Sequence, residues 1–110
     1  MADYTGEVTD ELRRIYEDAW NEGIWLKEFG CAPGNDVWMA AAGELRVLEE
    51  IEKKIGRELD IEKDLSLGDC VNLAAPGTGP TREEACRNAI QALKDELTHQ
   101  GKKLRPQEKP

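Results

Sequence analysis

From Thr9 onward, apolar residues return at three- and four-residue steps, and Leu12, Ile15, Tyr16 and Ala19 fall on one side of a helical wheel. The spacing predicts a first helix over Thr9 to Asn21. Gly23 weakens its continuation. Ile24-Trp25-Leu26 with Phe29 then forms an apolar knot that fits either a last helical turn or a short strand. Gly30 to Asn35, containing Pro33-Gly34, reads as a loop. Beyond it Val37, Ala41, Leu45, Leu48, Ile51 and Ile55 keep helical spacing, which predicts a second helix capped by Asn35 or Asp36. Lys53 and Lys54 lie in its last turn, where the helix dipole favours cations, and Gly56 follows as a left-handed stop.

After Gly56 the period shortens. Glu58, Asp60 and Glu62 alternate with Leu59 and Ile61, the pattern of a half-buried strand. Cys70 to Ala75 is a second strand candidate, so residues 57 to 75 are expected to form an antiparallel hairpin. Pro76-Gly77-Thr78-Gly79-Pro80 reads as a turn, and Thr81 with Glu84 as a capping box that opens a third helix. That helix presents Cys86, Ala89, Ile90, Leu93 and Leu97 on one face, a core stripe, and Thr98 to Gly101 ends it. The expected fold is α+β: one small domain over residues 1–101, in the order α-α-β-β-α. A short antiparallel hairpin or sheet packs on its helices. Residues 102–110 are polar, hold two prolines, and are expected to be a disordered basic tail.

Charge alters the picture more than composition does. The 110-residue chain has a formal net charge of −8. Residues 102–110 contribute four bases and one acid, so residues 1–101 hold 11 bases and 22 acids, a net of −11. Such a body repels phosphates and anionic membranes and is attracted to basic surfaces. The expected partner is therefore a host protein with a basic surface, such as a nucleic-acid-binding effector complex, with no direct nucleic-acid or membrane contact; a homodimer is a further expectation. An acidic N-terminus with no apolar core is not expected to be a signal peptide, and three cysteines without a Cys-x-x-Cys pair fit a reducing compartment. The protein is expected in the cytoplasm, the host's if it is phage-encoded.

Candidate chemistry is sparse. Gly77-x-Gly79 before a helix suggests an anion site, but no Walker lysine follows and Glu83 and Glu84 in the first turn oppose phosphate. Cys31, Cys70, Cys86 and His99 supply zinc-type donors at separations of 39, 16 and 13 residues, which match no compact zinc motif. Ser66 lies in no nucleophile elbow, and His99 stands at a helix end four residues after Asp95. No enzymatic activity and no cofactor are therefore expected; a small enzyme using carboxylates or His99 is the third choice. The more informative feature is the first helix. Glu7, Glu11, Asp18 and Glu22 fall within one stripe beside its buried face, with Asp10 and Glu17 on the outer face. If helical throughout, Glu7 to Glu22 spans about 22 Å. Carboxylates arrayed in this way imitate a nucleic-acid strand, although acidic faces are commonly no more than solvated.

The stretch from Gly77 into the third helix resembles, in spacing, the last helix of double-stranded RNA binding domains. Of the positions basic in that family only Arg82 keeps its charge, beside Glu83 and Cys86, so duplex binding is not expected. A second resemblance covers residues 35 to 97 and rests on two stretches, Ala40-Ala41-Ala42 leading to Val47-Leu48-Glu49-Glu50-Ile51, and Thr81-Arg82-Glu83-Glu84-Ala85-Cys86-Arg87 with Ala89 and Leu93. It is similar to the phage ABA sandwich domain; Asn88 and Ile90 depart from that family's alanine-rich ending. The resemblance implies phage origin and a sheet between helices, and it brings no catalytic residue. The function expected is a non-enzymatic acidic phage protein that binds and inhibits a host complex, as an anti-CRISPR or other anti-defence nucleic-acid mimic. The alternative is a structural or regulatory phage protein whose homo-oligomer buries the region of Trp20, Trp25 and Trp38.

Overall fold

A computed structural model describes residues 8–31, 36–64 and 74–103. The first helix, α1, runs Asp10–Asn21, and the Thr9 hydroxyl accepts the Leu12 amide at 3.0 Å as its cap. Leu12, Ile15 and Ala19 are buried, as their spacing requires. The apolar knot that follows is a strand, β1, Ile24–Cys31.

The second predicted helix is only half helix. Its first part is a strand, β2, Trp38–Glu44, and α2 is confined to Leu45–Ile55. Small residues explain how a helix-compatible spacing becomes the central strand of a sheet. Ala40 and Ala42 face the layer of α1, Ala41 faces the opposite layer, and each is almost wholly buried. A strand buried on both faces shows no alternation between polar and apolar, so the three- and four-residue recurrence there was coincidental. At Gly43 the Trp25 ring lies so close that a Cβ would come within 2.4 Å of it. The end of α2 follows expectation, with Gly56 at φ 79° donating its amide to Glu52.

Residues 57–62 do not form a strand. They lead into a single helical turn, α3, Ile61–Asp64, held by local polar bonds. The Asp60 carboxylate accepts the Lys63 amide and the Asp64 carboxylate accepts the Asp60 amide at 2.8 Å. Such side-chain bonds compete directly with strand pairing. Leu59 and Ile61 still reach the core, packing with Trp25, Ala41, Leu45 and Leu48. Among the described residues the expected hairpin of 57–75 is not formed, since 57–60 hold no strand and Ala74 and Ala75 pair with β2; residues 65–73, Cys70 to Leu73 among them, lie outside the described residues.

The proline-glycine turn is also a correction, because Ala74–Gly79 is an edge strand, β3. The sheet is antiparallel in the order β1-β2-β3, with Leu26 opposite Ala42, Ala41 opposite Pro76, and an irregularity between Glu28 and Gly30. Pro76 is tolerated because β3 has a partner on one side only. Gly77 and Gly79 are present for close packing. A Cβ on Gly77 would lie 2.1 Å from the Ala89 amide nitrogen and 2.5 Å from the Ala85 carbonyl oxygen. The last helix, α4, Arg82–His99, thus rests almost backbone to backbone on β3, its start fixed by the Thr81 hydroxyl, which accepts the Glu84 amide at 3.1 Å.

The result is an α+β fold in which helices cover both faces of a three-stranded sheet. The larger core lies between the sheet and α1 with α4, and the smaller lies between the sheet and α2. Among the described residues the order interleaves strands and helices, α-β-β-α-α-β-α, in place of the expected α-α-β-β-α. A sheet between helices is shared by many unrelated chains and carries no argument about kinship. Lys102 and Lys103 are exposed; residues 104–110 of the expected tail lie outside the described residues.

Candidate functional site

The acidic helix α1 and the long helix α4 run side by side in the same direction on one face of the sheet. Thr9 donates its hydroxyl to Glu83 at 2.6 Å, Glu11 pairs with Arg87, and Glu22 pairs with Lys94 at 2.7 Å. The predicted stripe is therefore not uniform. Glu11 and Glu22 each face a cation of α4, whereas Asp18 makes no ion pair among the described residues. Asp10 meets Arg13 at 3.5 Å in an exposed pair one turn along its own helix, and Glu17 is exposed on the outer face. Glu7 lies outside the described residues. The bridges are half-exposed and individually weak, and they neutralise the flank toward α4, while on the outward face exposed Arg13 and Arg14 stand beside Asp10 and Glu17.

A shallow cleft of about 280 Å³ opens between the two helices, lined by Ile15, Ala19 and Ile90 beneath, and by Asp18, Glu22, Arg87 and Gln91 at the rim. A second, of about 530 Å³, lies at the end of β3 below the last turns of α4, lined by Val47, Ala74, Leu93, Glu96 and Leu97 among others.

A polar cluster that sequence reasoning missed lies beneath the start of α4. Glu28 of β1 accepts bonds from Arg82 Nε at 2.7 Å and Nη2 at 3.1 Å, and from the Tyr16 hydroxyl at 2.5 Å. The ion pair is almost closed to solvent, with side-chain exposures of 12% for Arg82 and 9% for Glu28. The bond to Glu28 raises the Arg82 pKa further. Tyr16 comes from α1, Glu28 from β1 and Arg82 from α4, so the cluster joins three elements. Its role is structural, because both partners of the Glu28 carboxylate, a guanidinium and a phenol, come from the helices it ties to the sheet. The signal was present as two adjacent charges, Lys27 and Glu28, inside an apolar run.

Other titratable groups fit structural roles. The Thr9 hydroxyl holds the Glu83 carboxyl below the usual glutamate range. A depressed carboxyl stabilises the fold at neutral pH, and that contribution is lost as pH falls below about 4.5 and through the folded value. The Asp60 amide and the Arg57 guanidinium lower Asp64 in the same direction. Burial pushes the Cys86 thiol up to about 12. A thiol at that value stays protonated and inert. Accordingly, iodoacetamide at pH 8 is expected to modify exposed Cys31 in the native protein and to reach Cys86 only after unfolding, as peptide mapping by mass spectrometry will show. Rapid native labelling of Cys86 would contradict its burial.

The zinc-type donors are not brought together. Cys86 and His99 lie on the same helix, 13 residues apart, which places them about 20 Å apart along its axis. Cys86 is buried and Cys31 and His99 are exposed, while Cys70 lies outside the described residues. No group of three or more His, Cys, Asp or Glu suited to a metal is present among the described residues. Nor is any described helix long and apolar enough to cross a membrane. The tryptophans do not form one surface. Trp25 is 1% exposed and Trp38 packs against the larger core, so Trp20, 54% exposed on α1, is the one left at the surface.

Comparison of the chain with protein-family models, with curated proteins and with solved structures finds no match.

Proposed function

We propose that this chain is a non-enzymatic, phage-type binding protein that acts in the cytoplasm by engaging the basic surface of a nucleic-acid-handling protein. It occupies the place of the nucleic acid, as an inhibitor of a host defence complex such as a CRISPR effector would. The observation that carries the reading is the distribution of its cations. Arg13, Arg46, Arg57, Arg82, Arg87 and Lys94 are all in ion pairs, and Lys27 is 7% exposed with its ammonium on the Ile61 carbonyl. Arg14, Lys53, Lys54, Lys63, Lys102 and Lys103 are exposed outside these pairs, but the remaining described carboxylates outnumber them, and on α1 Glu17 and Asp18 lie outside ion pairs among the described residues, with Arg14 beside them. Such a field attracts basic grooves and repels phosphate.

The test is affinity capture from nuclease-treated bacterial lysate with the native chain and with the Asp10→Lys, Glu17→Lys, Asp18→Lys triple variant. A nuclease-resistant partner retained by the first and lost by the second, at equal helical content, supports the reading. Equal capture by both removes α1 as the contact. Reversal of Glu11 or Glu22 is less informative, because it also breaks the bridges to Arg87 and Lys94.

A second reading, a homo-oligomer, draws on Trp20, since exposed tryptophan is typical of interface anchors. Sedimentation across a range of concentrations distinguishes it, a tight self-association without a foreign partner favouring the oligomer.

A further inference from the structure

The cleft between α1 and α4 is built differently from the rest of the acidic surface. Its ends are closed by the Glu11–Arg87 and Glu22–Lys94 bridges. Between the two, α1 rises about 16 Å and α4 about 10 Å, which leaves a gap longer than one side chain can fill. The floor is apolar, made by Ile15, Ala19 and Ile90. Gln91 at the rim is held away by its own bond to Asp95, at 2.9 Å. Asp18 remains, a carboxylate at the rim with no ion pair among the described residues. Among the lining residues and their bridge partners three carboxylates face two cations; Arg14, one turn before Asp18 on α1, is exposed but neither lines the cleft nor pairs with Asp18. At about 280 Å³ it falls below the usual range for metabolite pockets and suits a single long side chain.

We infer that this cleft receives one arginine side chain of the basic protein partner, its alkyl stem on Ile15, Ala19 and Ile90 and its guanidinium on Asp18. Arginine fits better than lysine because its planar, weakly hydrated head pairs two-pronged with a carboxylate while the stem stays on apolar surface. The inference rests on the proposed binding function but assigns the contact to a different part of the surface, the groove and not the outward face.

The test uses the isotope-labelled full chain titrated at low ionic strength with an amide-capped tetra-arginine peptide and followed by NMR. The largest amide shifts are expected at Ile15, Asp18, Ala19, Ile90 and Gln91. Asp18→Asn is expected to weaken binding about fivefold, the loss of one half-exposed ion pair, while Asp10→Asn and Glu17→Gln change it less than about twofold. Tetra-lysine is expected to bind more weakly at the same residues. Shifts centred on Asp10 and Glu17, insensitivity to Asp18→Asn, or no shifts at millimolar peptide would overturn the groove. The first two outcomes leave an acidic binding face in place, so the groove and the general reading fail separately.

Discussion

Gly77→Ala is expected to lower stability by about 3 kcal/mol or more, a larger loss than a single surface-to-alanine change produces. The added methyl would stand 2.1 Å from the Ala89 nitrogen and 2.6 Å from its Cα, both backbone atoms that no rotamer change can clear. Either α4 lifts from β3 or β3 leaves the sheet. Each movement opens the larger core, in which Ala85, Cys86, Ala89, Leu93 and Leu97 are all buried. The Asn88 side chain, which donates to the Thr78 carbonyl at 2.7 Å, would be displaced with them. Urea denaturation followed by circular dichroism measures the loss, and a change below about 1 kcal/mol would mean that the close seat of α4 is wrong.

Arg82→Ala is expected to have the next largest effect, about 3–5 kcal/mol, because it leaves the Glu28 carboxylate buried with the Tyr16 hydroxyl as its remaining described donor. The energy lies in the unpaired charge more than in the bond. The double replacement Glu28→Leu with Arg82→Met is therefore expected to recover most of the loss, since a buried ion pair exchanged for apolar groups of similar volume is often close to neutral. Single variants and the double variant compared by urea denaturation give the coupling directly. An additive double variant would show that Glu28 and Arg82 do not act as a pair. The same measurement separates this cluster from the exposed bridges on α1, whose loss is expected to cost well under about 1 kcal/mol each.

The parts of the fold readable from sequence are those in which one face is wet. The α1 stripe of Leu12, Ile15 and Ala19, the Thr81 cap and the α4 stripe follow from periodicity against a solvated opposite face. What could not be read is the middle of the sheet. Ala40 to Gly43 is buried on both faces and built from small residues, so it carries no period of two, and Ala41 with Leu45 and Leu48 continues a helical spacing by chance. Glu58 to Glu62 shows the reverse failure, a true alternation that Asp60 and Asp64 convert into a turn by taking backbone amides. Gly77 and Gly79 were read as turn residues because glycine serves both turns and close contacts, and only the position of Ala85 and Ala89 above them decides between the two.

The candidate site was legible in part. The placement of Glu11, Asp18 and Glu22 on one flank and of Asp10 and Glu17 on the outer face follows from helical geometry. Which carboxylates are matched does not, because Arg87 and Lys94 lie more than 70 residues away in sequence and meet α1 only through the fold. That contact divides the stripe, turning Glu11 and Glu22 into bridges and leaving Asp18 at a cleft.

We propose that the acidic α1 surface takes the place of nucleic acid on a basic partner. The most direct measurement is competition: the captured partner is loaded with a fluorescent nucleic acid, and the chain is added while anisotropy is recorded. Full displacement by the native chain, and none by the Asp10→Lys, Glu17→Lys, Asp18→Lys variant, is the predicted result. Simultaneous binding of chain and nucleic acid, with anisotropy undiminished at saturation, would contradict it.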